Sequence, residues 1–207
     1  MSTTTFFQPA ADMLPIPAEH KWPPQGKWTY EDYRRLPDDG WIYEVIEGEL
    51  YMWPAPMPIH QENSGNLFAA FWNYARKHEA GKPYSAPIDV ILPGFAEPVQ
   101  PDVLFIVKER LSIVKKGRVE GPPDIIVEVL SPSNSPRYLQ KKFLAYARAG
   151  VREYWFVDPE ARTIELFVLR LDAYELLGKY GVGETVRSEV LSGFEIKVED
   201  VCPAQEP

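Results

Sequence analysis

The amino-acid sequence predicts a mixed α/β (α+β) fold, a mixed β-sheet flanked by helices with an additional antiparallel meander, and three stretches carry that reading. Residues 123–158, PDIIVEVLSPSNSPRYLQKKFLAYARAGVREYWFVD, read as strand, loop, helix and strand. Residues 59–78 repeat apolar side chains at helical spacing through Leu67, Ala70, Phe71 and Tyr74. After Asp158-Pro159, alternating runs over 163–169, 173–180 and 185–190 follow one another with short turns between them, the pattern of a meander.

The other elements follow in chain order. Residues 1–26, rich in Pro, Thr and Ala, read as an extended or flexible arm, 27–202 as a single domain and 203–207 as a tail. Thr29 with Asp32 three positions on is a helix start, and Pro37-Asp38-Asp39-Gly40 a stop. Residues 41–46 and 49–53 form two strands around Glu47-Gly48. A strand is expected over 84–92, a turn over 94–98, a strand over 103–107 and a loop around Lys115, Lys116 and Arg118. Ser135 with Pro136 opens the helix of the central stretch, and Gly150 closes it in a left-handed conformation.

Composition narrows the class. The 207 residues include six Trp, eleven Tyr and ten Phe, enough for a sizeable core, and no apolar run is long enough to span a bilayer. No secretory signal is visible, and the single cysteine, Cys202, can build neither an intramolecular disulfide nor a cysteine metal site, so a reducing, cytoplasmic setting is expected. The net charge of −8 argues against a nucleic-acid partner, but ten Lys/Arg against four Asp/Glu between Lys108 and Arg152 give a local surplus of six. Such asymmetry marks either a face that meets phosphate or a solvated loop and helix surface.

Three carboxylates stand within, or at the edge of, apolar strands. Glu128 lies between Val127 and Val129 and shares its face with Ile126 and Leu130. Asp102 shares a face with Leu104 and Ile106, and Glu44 lies between Ile42 and Ile46, where an exposed edge position is the plainer alternative. A buried carboxylate needs a cation, a metal or a hydrogen-bond network to compensate it. On the following helix, Leu139, Phe143 and Tyr146 line one face with Lys142 on its rim, while Lys141 points to solvent. His60 and His78 read as cap or surface residues rather than ligands. Two carboxylates on neighbouring strands, Asp102 and Glu128, suit Mg²⁺ or Mn²⁺, which take oxygen ligands and keep several waters. With Lys142 near the reacting phosphate, the constellation points to metal-assisted phosphodiester hydrolysis.

The ordered motifs add a resemblance. Tyr43-Glu44-Val45-Ile46-Glu47-Gly48-Glu49-Leu50, Pro101-Asp102-Val103, Ile125 to Ser133, Lys142 with Tyr146, Gly150-Val151, Glu153-Tyr154-Trp155 and Asp158-Pro159 together resemble the Uma2 family of restriction-endonuclease-like proteins. The resemblance runs from about Tyr30 to Val201 and implies a PD-(D/E)XK nuclease fold with a divalent metal at its carboxylate edge. It implies Asp102 and Glu128 as metal ligands and Glu44, Asp102, Glu128 and Lys142 as catalytic residues, with Tyr138 and Tyr146 in support. The strand lysine of the superfamily motif is replaced by Leu130, and the helix position Lys142 stands in for it. Relatives carry an acid four residues before that lysine, where this chain has Tyr138.

The function implied is a metal-dependent endonuclease acting on DNA, with no membrane partner. A homodimer is expected, since two symmetric sites can cut the two strands of a duplex. The apolar segment 52–57 is a candidate interface, with core packing as the alternative. The contrasting reading is a catalytically inactive nuclease-fold protein that binds nucleic acid or protein, to which the overall acidity and Tyr138 point.

Overall fold

In the computed structural model, which describes residues 22–204, the strands form two six-stranded mixed sheets and a two-stranded ribbon. Thr29 caps α1 (Tyr30–Tyr33), with Thr29 and Asp32 exchanging side-chain and backbone hydrogen bonds as a capping box. Strands β1 (Ile42–Ile46) and β2 (Glu49–Trp53) pair around Glu47-Gly48. Gly48 has φ +72°, and a Cβ there would lie 2.7 Å from the Gly26 carbonyl oxygen, so the turn requires glycine. The long helix α2 (Pro58–His78) leads into β3 (Gly81–Ser85), β4 (Asp89–Leu92), β5 (Ala96–Val99) and β6 (Val103–Val107). A 3₁₀ turn, the small hairpin β7 (Val114–Lys115) and β8 (Arg118–Glu120), and then β9 (Ile125–Val129) follow. After α3 (Pro136–Ala149) come β10 (Glu153–Asp158), β11 (Thr163–Arg170), β12 (Ala173–Tyr180), β13 (Thr185–Arg187), β14 (Glu195–Lys197) and α4 (Val198–Val201).

The central sheet has the order β12-β11-β10-β9-β6-β3, with β9 and β10 parallel and joined by α3 as a crossover, and the β10-β11-β12 meander extending it on one side. The second sheet has the order β2-β1-β5-β4-β8-β7. One core lies between α2, α4 and the central sheet, around Leu67, Phe71, Phe105, Trp155 and Phe194. The other lies where α3 and the second sheet cover the opposite face, around Ile46, Leu92, Leu104, Ile126 and Tyr146. Because both faces of the central sheet are covered, β9 is buried at every position, and each large apolar side chain so buried contributes roughly 1.5–3 kcal/mol.

Four local expectations are corrected. The third run of the expected meander, 185–190, is a strand only over Thr185–Arg187 and pairs with β14 in the separate ribbon instead of continuing from β12. The strand expected over 84–92 is two strands in different sheets, because Pro87 offers no N–H and the chain crosses from one sheet to the other around it. The turn expected over 94–98 ends at Phe95, and Ala96–Val99 is β5; Pro98 fits there because the pairing of β1 with β5 is confined to Ile46 opposite Ala96. The loop expected around 115–118 is the β7–β8 hairpin. Of the expected arm, residues 1–21 lie outside the described residues, while the Gln25 side chain exchanges two hydrogen bonds with the Leu50 backbone at 2.7 and 3.0 Å.

Candidate active site

Strands β6 and β9 pair antiparallel with Val103 opposite Val127, and one further step of that register sets Asp102 opposite Glu128. The carboxylate of Asp102 is fixed through Oδ2, which accepts the Val129 N–H at 2.7 Å and lies 3.2 Å from His60 Nε2. Glu44 comes from β1 in the other sheet, where its Oε1 accepts the Gln100 N–H at 2.6 Å.

Helix α3 closes the cluster. Ser135 caps it through its hydroxyl, which accepts the Tyr138 N–H, and Gly150 ends it at φ +92°. Tyr138, Lys142 and Tyr146 recur every four residues and so form one stripe, which faces the sheet. Lys142 Nζ lies 2.8 Å from Glu128 Oε1, 3.1 Å from Glu44 Oε1 and 3.1 Å from Tyr138 Oη. An ammonium has three N–H donors, so these partners account for all of them. The Tyr138 hydroxyl donates to Glu44 Oε2, and the Tyr146 hydroxyl donates to Glu128 Oε1 at 2.6 Å.

Burial pushes the Glu128 carboxyl up to about 7; Lys142 works against that shift, while Asp102 and Glu44 add to it. Burial opposes the charge on Lys142, but Glu128 and then Glu44 outweigh it and hold the ammonium above its ordinary value. For His60, burial disfavours the imidazolium, yet the Asp102 carboxylate beside it raises it on balance. The phenols of Tyr138 and Tyr146 are held far above their ordinary value by burial and by the nearby carboxylates, which keeps them as hydrogen-bond donors.

These groups line a cavity of about 520 Å³, with Glu44, His60, Asp102, Glu128, Tyr138 and Lys142 in its wall. The donor set fits a magnesium-like ion. Contacts described above engage Oδ2 of Asp102 and Oε1 of Glu128, leaving Oδ1 and Oε2 for a cation. Three carboxylates face one ammonium and one histidine, so the cluster carries excess negative charge that a divalent ion would balance. Among the described residues no three His, Cys, Asp or Glu side chains share a coordination sphere.

Glu44, Asp102, Glu128, Tyr138, Lys142 and Tyr146, singled out from the sequence, are thus brought into one cluster. Several surroundings differ from expectation. Lys142 is buried rather than on a rim, and Glu44 is buried rather than at an exposed edge. Lys141, expected in solvent, reaches Glu49 at 3.0 Å and Glu47 at 3.6 Å. The basic surplus of 108–152 is largely neutralised by acids from outside that window: Lys108 pairs with Glu79, Arg137 with Glu49, Lys142 with Glu44 and Arg148 with Glu47. His60 is not a cap or surface residue; it stands on the buried stripe of α2 with Ser64, Leu67 and Phe71, a spacing that was available to find it.

Three comparisons place the molecule among known proteins. A solved structure from Anabaena variabilis, described as a "putative nuclease belonging to DUF820", superposes with a TM-score of 0.70 at 18% identity, over 84% of this chain and 97% of that one. A protein of Campylobacter hominis named elongation factor Ts is 27% identical over 176 residues, 83% of this chain and 49% of that protein, so the chain spans about half the length of the curated relative it matches. With the family model described as "Putative restriction endonuclease" matching residues 30–199, the chain belongs to the Uma2 family.

Proposed function

We propose that this protein is a metal-dependent endonuclease that hydrolyses phosphodiester bonds of DNA, with Mg²⁺ or Mn²⁺ as its ion. The convergence of Asp102, Glu128 and Lys142 on one cavity wall carries the reading, because it supplies uncommitted carboxylate oxygens beside a buried cation. Asp102 and Glu128 would hold the ion, which when bound would neutralise phosphate charge and make a coordinated water a better nucleophile. Lys142 keeps its proton and fixes the Glu128 carboxylate from one side, while Tyr146 fixes it from the same oxygen, so Oε2 is presented in a single orientation. Glu44 holds Lys142 in place together with Tyr138. Hydrolysis adds water across the P–O bond, and the leaving oxygen takes a proton; a phosphate oxygen can be met by Lys142 only if one of its three present partners is exchanged. A homodimer would let two such sites act on the two strands of a duplex.

That saturation of Lys142 is also the observation that favours the second reading, a nuclease fold that binds without cutting. Conversion of supercoiled plasmid to nicked circles in Mg²⁺ or Mn²⁺ separates the two. Metal-dependent nicking, abolished in Asp102→Ala, Glu128→Gln and Lys142→Ala variants that remain folded, supports the enzyme. Wild type that neither nicks nor takes up Mn²⁺ in calorimetry rejects it.

A further inference from the structure

The catalytic cavity does not end at its acidic wall. A second cavity of about 540 Å³, between α2 and the edge strand β3, shares Phe68 and Ser85 with it and continues past Trp72, Arg76, Lys82 and Tyr84. Phe68 and Trp72 stack one helical turn apart with ring centroids 6.0 Å apart, and Trp72 is 44% exposed. A tryptophan left that open on a helix whose other face fills the core has an unused aromatic surface. Arg76 is one turn further along α2, and Lys82 faces it from β3; both are exposed, and no carboxylate pairs with either among the described residues. The basic residues nearer the acidic cluster, by contrast, are held by Glu47 and Glu49. In a chain of net charge −8, two unpaired cations beside exposed rings form the local exception that an anionic, ring-bearing polymer would use.

We propose that this groove binds a single strand of DNA that enters or leaves the catalytic cavity, with a base stacked on Trp72 and phosphates met by Arg76 and Lys82; the inference rests on the nuclease reading of the adjoining cavity. Stacking on an aromatic face needs an unpaired base, so the groove selects a frayed, looped or single-stranded segment over an intact duplex. Ser85, at the end of β3 and in the wall of both cavities, marks the passage between them.

Fluorescence anisotropy of a labelled oligothymidylate of about 16 nucleotides, titrated at several salt concentrations without divalent metal, tests the proposal. Trp72→Ala is expected to weaken binding about tenfold with the salt slope unchanged. The Arg76→Ala/Lys82→Ala variant is expected to weaken binding and to reduce the log–log salt slope by about 1.4, at roughly 0.7 for each lost phosphate contact on a single strand. A duplex of the same length should be indifferent to Trp72→Ala. All three side chains are exposed, so the variants should fold, which circular dichroism checks. Unchanged affinity and slope in both variants overturn the proposal, as does a dimer that dissociates on Trp72→Ala with no effect on the oligonucleotide, which assigns the groove to a second copy of the chain. Plasmid nicking measured in parallel keeps the two readings apart. Nicking with no oligonucleotide effect removes the groove alone, whereas Trp72-dependent binding without nicking removes the nuclease and leaves the groove.

Discussion

Lys142 Nζ and Glu128 Oε1 are 2.8 Å apart, joined from a helix and the strand before it, and neither side chain is more than 9% exposed. Breaking a buried pair by removing one partner leaves an uncompensated charge and costs about 3–5 kcal/mol. Lys142→Met, which keeps most of the volume but not the charge, should therefore lower the urea midpoint strongly. Added Mn²⁺ should restore part of that loss, since the stranded Glu44 and Glu128 charges would gain a cation. A variant as stable as wild type would contradict this account.

Stability should fall with rising pH through the range set by Glu128. Its folded value of about 7 lies above the ordinary 4.5, so the folded state holds a proton that the unfolded chain has released. The contribution is complete below about pH 4.5 and is lost as pH rises through 7; His60, also raised, acts in the same direction. Urea unfolding at about pH 5 and about pH 8 should show the decline, and Glu128→Gln should flatten most of it.

His60 should act through Asp102. Its Nε2 shares Oδ2 with the Val129 N–H, which fixes the carboxylate and presents Oδ1. Groups that orient a ligand in this way are worth about 10–100-fold in metal affinity. Mn²⁺ titration calorimetry should show such a loss for His60→Ala and partial recovery for His60→Gln, whose amide can still donate to Asp102.

Removing the Tyr138 hydroxyl should destabilise the protein by about 1–3 kcal/mol, because in a buried setting one N–H of Lys142 loses its acceptor and Glu44 Oε2 keeps only the longer contact to Lys142 Nζ at 3.5 Å. If Tyr138 restrains Lys142, Tyr138→Phe should also alter the rate of metal-dependent nicking per folded molecule. A stability change with the rate untouched would make Tyr138 a packing residue.

Glu153 supplies the contrasting case. It is fully buried, yet its carboxylate accepts from the Trp155 indole, the Ser188 hydroxyl and the Glu189 and Val190 N–H groups, and it lies outside the cavity lined by Asp102, Glu128 and Lys142. Glu153→Ala should therefore lower the melting temperature while leaving nicking per folded molecule unchanged.

Much of this is legible in the sequence. Period and caps located α3 from Ser135 to Gly150, and the apolar runs located β9, β11 and β12, because these patterns are local. The three acids stood out because a carboxylate in an apolar strand violates local pattern. His60 did not, since a histidine in the first turn of a helix violates nothing. Division of 84–92 between two sheets was also hidden, because a break at Pro87 looks the same whether the chain rejoins its own sheet or crosses to another.

The sequence by itself determined the mixed α/β class, the strand, loop, helix and strand order of β9, α3 and β10, and the identity of the acids, the lysine and the tyrosines in the cluster. Only the tertiary structure decided who partners whom. Glu44 reaches Lys142 across 98 positions, and Glu47 and Glu49 of the β1–β2 hairpin offset part of the basic surplus of 108–152. Arg76 and Lys82 are left as the open cations beside the cavity. Charge along a chain is additive, but the field at a site depends on distances in space, and those are fixed by how two sheets and a helix pack.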